Sequence, residues 1–429
     1  MKRRKLLTSV LAGSILLGGL AGCAQNSPSK NNRSDVKYEP EVNYAAVKEG
    51  TYQSFDEKKA VEAYNGYAMN LFSKVASGGG KSNIMVSPAS VMFALDLADA
   101  GACKNTLAEI NKAIGGDLTP EQQHAFASAW MKSINASKDV EFSAANGIWS
   151  NNKIIGTDMN KEYIDYVEKY FDAKVKPMDF GASAVKDING WVNDKTKGMI
   201  DEIVDQLDSN TAAVLVNAIA FEAAWQEQYE LIKDGTFKGA NGDSEAKFLS
   251  ETSGSYYESD KAIGFSKMYK GGQYMFVAVL PKDEGIDANK FMSGFTADDY
   301  SKFMASVSYA YDVDSKLPKF SYDYENTDLI EVLKALGIKE AFDKEKADFS
   351  GIADIGENLY LAKAIHKTHI ELDENGTKAA AATALAIDAE GAFFNERETR
   401  EVICDRPFAY MIVDTENNMP VFVGTVNDV

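Results

Sequence analysis

Apolar positions run in two rhythms along this chain. In the first half they recur at helical spacing. Tyr163, Tyr166, Val167 and Tyr170 fall on one stripe of residues 161–171, and 187–197 repeats the pattern. Residues 89–102 are a long apolar stretch opened by Ser87 and Pro88, a capping residue followed by a proline in the first turn. Further on the apolar positions become continuous. Residues 213–221 and 274–280 are unbroken apolar runs, as in strands buried on both faces. Two more runs, 407–413 and 420–426, are separated by the stretch 414–419 and predict a closing hairpin. Helices first and strands later predict an α+β fold. No low-complexity linker or internal repeat interrupts residues 51–429, which read as one domain.

Two segments precede that domain. Lys2, Arg3, Arg4 and Lys5 stand before an apolar run, 6–20, that Gly and Ser interrupt and Leu20-Ala21-Gly22-Cys23 ends. A charged start, an apolar middle and small residues at the end predict a signal peptide over 1–23, outside the fold. The ending resembles a bacterial lipobox, which implies that Cys23 becomes the lipidated first residue of an exported, cell-surface or membrane-anchored lipoprotein. No other apolar run approaches the ~20 residues that span a bilayer, so attachment through lipid alone is expected. Residues 24–50, rich in Asn, Ser, Lys and Pro, read as a flexible tether.

One stretch carries two patterns at once. Residues 374–390 are rich in alanine and favour helix by propensity. At the period of a strand, however, Thr377, Ala379, Ala381, Thr383, Leu385 and Ile387 share one face, all small or apolar, while Lys378 and Asp388 fall on the other. Taken alone, this is a surface helix or a loop able to become a strand with one buried face.

Composition narrows the function. A formal net charge of −19 argues against nucleic acid or anionic lipid as the main partner. Cys103 and Cys404 are expected to be buried thiols rather than a disulfide. His366 and His369, with no cysteine or second histidine cluster near them, make no metal site, and no phosphate loop, nucleophile elbow or zinc motif occurs. Neither an enzyme nor a bound cofactor is expected.

Several blocks, taken in order, resemble the serpin family. Glu374-Asn375-Gly376-Thr377-Lys378-Ala379-Ala380-Ala381-Ala382-Thr383 resembles the hinge of the serpin reactive loop, with His366-Lys367 before it and Asp405-Arg406-Pro407-Phe408 after it. Asn83-Ile84-Met85-Val86-Ser87-Pro88-Ala89-Ser90, Ala145-Asn146-Gly147-Ile148-Trp149, Leu215-Val216-Asn217-Ala218-Ile219-Ala220-Phe221 with Trp225, Leu317-Pro318-Lys319-Phe320 and Ala347-Asp348-Phe349-Ser350-Gly351-Ile352 resemble further blocks, from about residue 55 to 429. Asn375 and Lys378 stand where serpins usually carry acids, and Lys104 replaces a customary glycine. The stretch from Gly376 to Pro407 is also longer than usual.

The resemblance implies about nine helices and three β-sheets with an exposed reactive loop, and a monomer that inhibits serine proteases by suicide. The protease cleaves a bait bond and is held as its acyl-enzyme while the loop inserts into the central sheet. The implied hinge is Glu374, Gly376, Thr377, Ala379, Ala380, Ala381, Ala382 and Thr383. Ser87, Ser90, Asn217 and His366 would form a polar cluster where the sheet opens, with Trp225 at the loop's entry. Counting from the hinge glycine puts the reactive bond between Glu390 and Gly391, and counting back from Pro407 puts it at Glu396 and Arg397. Ala389, Glu390 and Ala392 suit elastase-like, subtilisin-like or glutamyl proteases, and Phe393 and Phe394 suit chymotrypsin-like ones. Two competing readings are a non-inhibitory serpin acting as carrier or chaperone, which alanines 379–382 argue against, and a substrate-binding lipoprotein, which the closing hairpin argues against.

Overall fold

The computed structural model describes residues 11–18, 42, 44, 54–155, 159–198, 200–208, 210–326, 328–353, 355–356, 358–377 and 397–429, with the backbone alone for 11–18, 143 and 220. Its strands, in chain order, are β1 (Leu11–Gly18), β2 (Ile84–Val86), β3 (Glu141–Asn151), β4 (Lys174–Met178), β5 (Thr211–Ala224), β6 (Leu231–Gly239), β7 (Gly242–Ser253), β8 (Tyr257–Glu258) and β9 (Ala262–Met268). There follow β10 (Tyr274–Pro281), β11 (Tyr311–Pro318), β12 (Phe320–Asn326), β13 (Tyr360–Leu372), β14 (Gly376–Thr377), β15 (Glu398–Ile403), β16 (Phe408–Asp414) and β17 (Met419–Val426). They form three sheets of seven, six and four strands, joined among the described residues by nine α-helices.

The helices start where local chemistry favours a start. The Ser87 side chain accepts from the Ser90 N–H ahead of Pro88–Asp99. Thr119 and Gln122 form a capping box ahead of Pro120–Ala136. Lys161–Phe171 buries Tyr163, Tyr166, Val167, Tyr170 and Phe171. The helix expected over 187–197 starts a turn earlier, as Ala182–Lys195, because Ala184 extends the buried stripe of Ile188, Trp191 and Val192. Lys104 adopts φ 51°, the region that favours glycine. Its ammonium lies 3.1 Å from the Asp348 carboxylate, so the turn survives the replacement.

The later apolar runs are strands. All eight residues of β10 are buried, and β16 and β17 pair as the expected hairpin in the six-stranded sheet. Cys103 and Cys404 are separate buried thiols. The tether reading of 24–50 does not hold at its far end. Val42 and Tyr44 are buried, and the Tyr44 hydroxyl donates to the Ala100 carbonyl at 2.6 Å, so apolar contact ties this part of the segment to the body.

The seven-stranded sheet positions the site. β3 pairs with β5, and β12 with β13, but β5 and β13 do not pair with each other. Between them lie β14 at one end and β1 along the rest, each antiparallel to both neighbours. The apolar segment expected to remain outside the fold thus occupies the gap. An uncharged run whose backbone N–H and C=O groups need partners finds a full set of them on two open strand edges.

The registers of β14 and β1 coincide. Thr377 stands opposite Ala223 and Leu372, and Leu11 opposite Ile219 and Thr368. Both partners lie four residues further along (223 − 219 and 372 − 368), so Leu11 takes the rung that residue 381 reaches if the chain continues straight on from Thr377. Leu17 stands opposite Ala213, the rung of residue 387.

Candidate functional site

The gap has a mouth and a middle, and different side chains build each. At the mouth the chain turns from β13 into β14. The Trp225 N–H donates to the Asn375 carbonyl at 2.9 Å, and the Tyr229 N–H to the Glu374 carbonyl at 3.0 Å. The indole Nε1 of Trp225 donates to the Asp373 carbonyl at 2.9 Å, and the ring stacks on Tyr269 at 4.5 Å and 11°. The Tyr269 hydroxyl meets the Thr377 hydroxyl at 2.5 Å, with Thr377 buried. At Gly376 a Cβ would lie 2.1 Å from the Ala223 carbonyl oxygen, so the backbone approaches there too closely for any other residue. Glu374 is paired with Lys319, which holds its carboxyl below the usual range despite partial burial.

The middle is polar within an apolar sheet. The backbone N–H of Ser87 donates to His366 Nε2 at 3.0 Å, and the Ser87 hydroxyl donates to the Val421 carbonyl at 2.9 Å. The Ser90 hydroxyl donates to Asn217 Oδ1 at 2.8 Å, and the Asn217 amide donates to Asn146 Oδ1 at 3.0 Å. All five residues are at most 1% exposed. Burial pushes the His366 imidazole down to about 3, so it is neutral and accepts at Nε2. Its Nδ1, which then carries the proton, has no partner among the described residues.

His366 and Asn217 flank the gap on one rung, where both face Gly13 of β1. By the same arithmetic as before (223 − 217 and 372 − 366, six residues on from Thr377), residue 383 reaches this rung. A loop threaded straight from Thr377 therefore sets Thr383 between His366 and Asn217. In such a threading Leu385 and Ile387 would fall beyond it on the same face, opposite the buried Leu215 and Ala213.

The structure thus brings Ser87, Ser90, Asn217 and His366 together, and places Trp225 with Glu374, Gly376 and Thr377. Ala379, Ala380, Ala381, Ala382, Thr383, Glu390, Gly391 and Cys23 lie outside the described residues. The sequence reading passed over three participants. Asn146 and Lys319 stood inside blocks already noted for their resemblance, but nothing local marks an asparagine in a strand as the partner of another 71 residues away. Tyr269 carried no signal. Of the two candidate ligands, His369 lies on β13 with Nδ1 2.6 Å from Asp323, and no metal-binding group of three occurs among the described residues.

Comparison with known proteins gives a consistent result. Residues 62–429 match the family described as Serpin (serine protease inhibitor). An uncharacterized serpin-like protein of Thermococcus kodakarensis is 31% identical, over 99% of this chain and 98% of its own length. The native-state structure of a thermophilic serpin, tengpin, superimposes with a TM-score of 0.78 at 34% identity, over 88% of this chain and 96% of that one. Human thyroxine-binding globulin shares the fold at a TM-score of 0.73 and 24% identity, over 86% of this chain and 98% of that one.

Proposed function

Since this chain belongs to the serpin family, we propose that it is a suicide inhibitor of serine proteases, acting through cleavage and insertion of the loop that follows Thr377. The target enzyme attacks the bait bond, with Glu390–Gly391 as the first candidate, and forms an acyl-enzyme. The freed loop then threads into the gap between β5 and β13, carrying the enzyme with it before water can release it. The chain supplies no catalytic group of its own to this sequence.

The observation that supports this reading most strongly is the shared register of β14 and β1. The gap already opens at the hinge, runs antiparallel to both walls and accepts eight further residues. Insertion is driven by ladder hydrogen bonds of ~0.5–1.5 kcal/mol net each and by burial of Leu385 and Ile387 at ~1.5–3 kcal/mol each. Over a dozen residues the total rivals the roughly 5–15 kcal/mol that stabilises an ordinary domain, so the uncleaved form is held by a kinetic barrier. A carrier role like that of thyroxine-binding globulin is the second reading. The small residues 379–382, which meet no steric bar to insertion, favour inhibition.

We place the mature protein at the cell surface or membrane, beginning at a lipidated Cys23 and acting as a monomer. The deciding experiment is incubation with elastase-like, subtilisin-like, glutamyl and chymotrypsin-like proteases. A denaturant-resistant covalent complex is expected, and sequencing the released peptide locates the bond. Cleavage without any such complex refutes the inhibitory reading.

A further inference from the structure

The sequence holds five Asn-Gly pairs, beginning at Asn65, Asn146, Asn189, Asn241 and Asn375. Asparagine is chemically labile, and most so before glycine, whose nitrogen meets no Cβ on its way to the side-chain amide. Three of the pairs sit in regular structure. Asn65 and Asn189 lie inside the helices Glu57–Gly78 and Ala182–Lys195, and Asn146 lies inside β3, where backbone ladders engage the glycine nitrogens. The carboxamides of Asn146 and Asn189 also donate to the carbonyls of Phe171 and Val204. Asn241 is exposed at the turn between β6 and β7. The Asp428 carboxylate accepts from its N–H and its side-chain amide, but the Gly242 N–H is not among its donors.

At Asn375 one carboxylate holds both nitrogens that deamidation uses. Asp373 Oδ1 accepts from the Gly376 N–H at 3.3 Å and from the Asn375 N–H at 2.7 Å. Asp373 Oδ2 accepts from the Asn375 side-chain amide at 3.2 Å. The turn is fixed on either side, since the Asp373 N–H donates to the Gly376 carbonyl and the Trp225 N–H to the Asn375 carbonyl. The attacking nitrogen and the leaving nitrogen therefore share a base that can take a proton from the first and return it to the second.

We propose that Asn375 is a self-deamidation site with Asp373 as its general base, and that its conversion disables the hinge with age. Asp373 Oδ1 takes the Gly376 N–H proton as that nitrogen bonds to Cγ of Asn375. The bond from Cγ to Nδ2 breaks, and Nδ2 leaves as ammonia with the proton returned through the carboxylate. Water then opens the resulting succinimide at either carbonyl, giving aspartate or isoaspartate. Isoaspartate adds one carbon to the main chain between β13 and β14. Gly376 cannot absorb the shift, because its backbone already lies against the Ala223 carbonyl. Both products also set a new carboxylate beside Asp373 and the Lys319-paired Glu374. β14 loosens from β5, and the loop begins insertion from a displaced first rung. The chemistry is independent of the inhibitory reading, and the loss of trapping rests on it.

The test holds folded protein at neutral pH for days beside a denaturant-unfolded sample and compares the five pairs by peptide mass and by enzymatic isoaspartate methylation. Asn375 is expected to convert at least as fast folded as unfolded, while Asn65, Asn146 and Asn189 convert more slowly when folded. Asp373→Asn keeps an acceptor oxygen and removes the base. It should slow Asn375 about tenfold or more and leave Asn241, which reports on the integrity of the fold, at its wild-type rate. Folding that protects Asn375 as well as it protects Asn146, or an unchanged Asn375 rate in Asp373→Asn, overturns the inference. On the same samples the ratio of covalent complex to cleaved loop should fall in step with conversion. It should hold steady in Asn375→Gln, whose longer side chain does not close the five-membered ring. Conversion with an undiminished ratio overturns the effect on the hinge. A fresh chain that traps no protease overturns the inhibitory reading, and the isoaspartate comparison then decides the deamidation site by itself.

Discussion

Replacing Thr377 by arginine tests whether strand insertion is the working step. Thr377 is 5% exposed and sits between Ala223 and Leu372 with its hydroxyl on Tyr269. A guanidinium there has no carboxylate among these contacts and faces the stacked rings of Trp225 and Tyr269. Burying an unpaired charge in such a place costs several kcal/mol. If about 3–4 kcal/mol of it falls on the barrier to insertion, the step slows by about two to three powers of ten. Deacylation, which depends on the protease, keeps its rate. An inhibitor that traps most of its attackers then becomes one that is cleaved on the order of a hundred times for each enzyme held. The assay is the ratio of covalent complex to cleaved loop on a denaturing gel, with the cut site checked by mass. Lys378→Glu, one residue along and on the opposite strand face, should leave that ratio nearly unchanged. If Thr377→Arg traps as well as wild type, insertion through this gap is not the mechanism, and the alternation from Thr377 to Ile387 is an accident of an alanine-rich loop.

Three further outcomes are expected. His366 has its proton affinity depressed from 6.5 to about 3 in the folded state, so between those values the unfolded chain binds a proton that the folded chain does not. Stability is therefore full above about pH 6.5 and falls as pH drops through that window, by at most about 1.4 kcal/mol per pH unit from this group. Unfolding rates between pH 7 and 4 should rise accordingly, with a shallower slope in His366→Gln. Glu374→Lys sets two ammonium groups against each other at the mouth of the gap. It should destabilise the mouth by about 1 kcal/mol and lower the temperature at which light scattering reports self-association, and adding Lys319→Glu should restore it. A chain that retains residues 1–22 should trap less protease than one beginning at Cys23, because β1 lies on rungs that a loop threaded from Thr377 would need. Equal trapping would mean that residues 11–18 leave the gap freely.

How far the sequence disclosed this molecule depended on the range of the forces involved. Local signals read true. Ser87 with Pro88 marked a helix start, and the tyrosine stripe of Lys161–Phe171 marked its buried face. The fold class was legible because blocks of contiguous residues carry it in order. Partnerships across the sheet were not legible from periodicity. Ser90 finds Asn217 from 127 positions away, Tyr269 finds Thr377 from 108, and only the resemblance to a family grouped Ser87, Ser90, Asn217 and His366. Val42 and Tyr44 were lost in a polar segment because two buried side chains do not make a period. The pairing of residues 11–18 was not legible for a different reason. Their pattern is that of an export signal, and their place between β5 and β13 depends on edges that no local pattern reveals.

The polar rung in an otherwise apolar gap then has a purpose that stability alone does not supply. Alternation guards the inserting loop against slipping by one residue, since that would turn Lys378 and Asp388 toward the core. It gives no protection against slipping by two, which keeps the apolar face inward. On the proposed mechanism the rung of His366 and Asn217 would supply that protection. In true register it would receive the hydroxyl of Thr383, whereas a slip of two offers it Ala381 or Leu385 and leaves the His366 Nδ1 without a partner, at about 1–3 kcal/mol. Length matters as much as fit, because a loop seated two rungs short leaves about 7 Å of slack at the trapped enzyme. Thr383→Leu should therefore leave cleavage and the cut site unchanged, yet yield inserted forms of mixed register and a smaller trapped fraction. Thr383→Ser, which keeps the hydroxyl, should behave as wild type. Hydrogen exchange along β5 and β13 in the cleaved protein distinguishes one register from several. A single register in Thr383→Leu would refute this account of the rung.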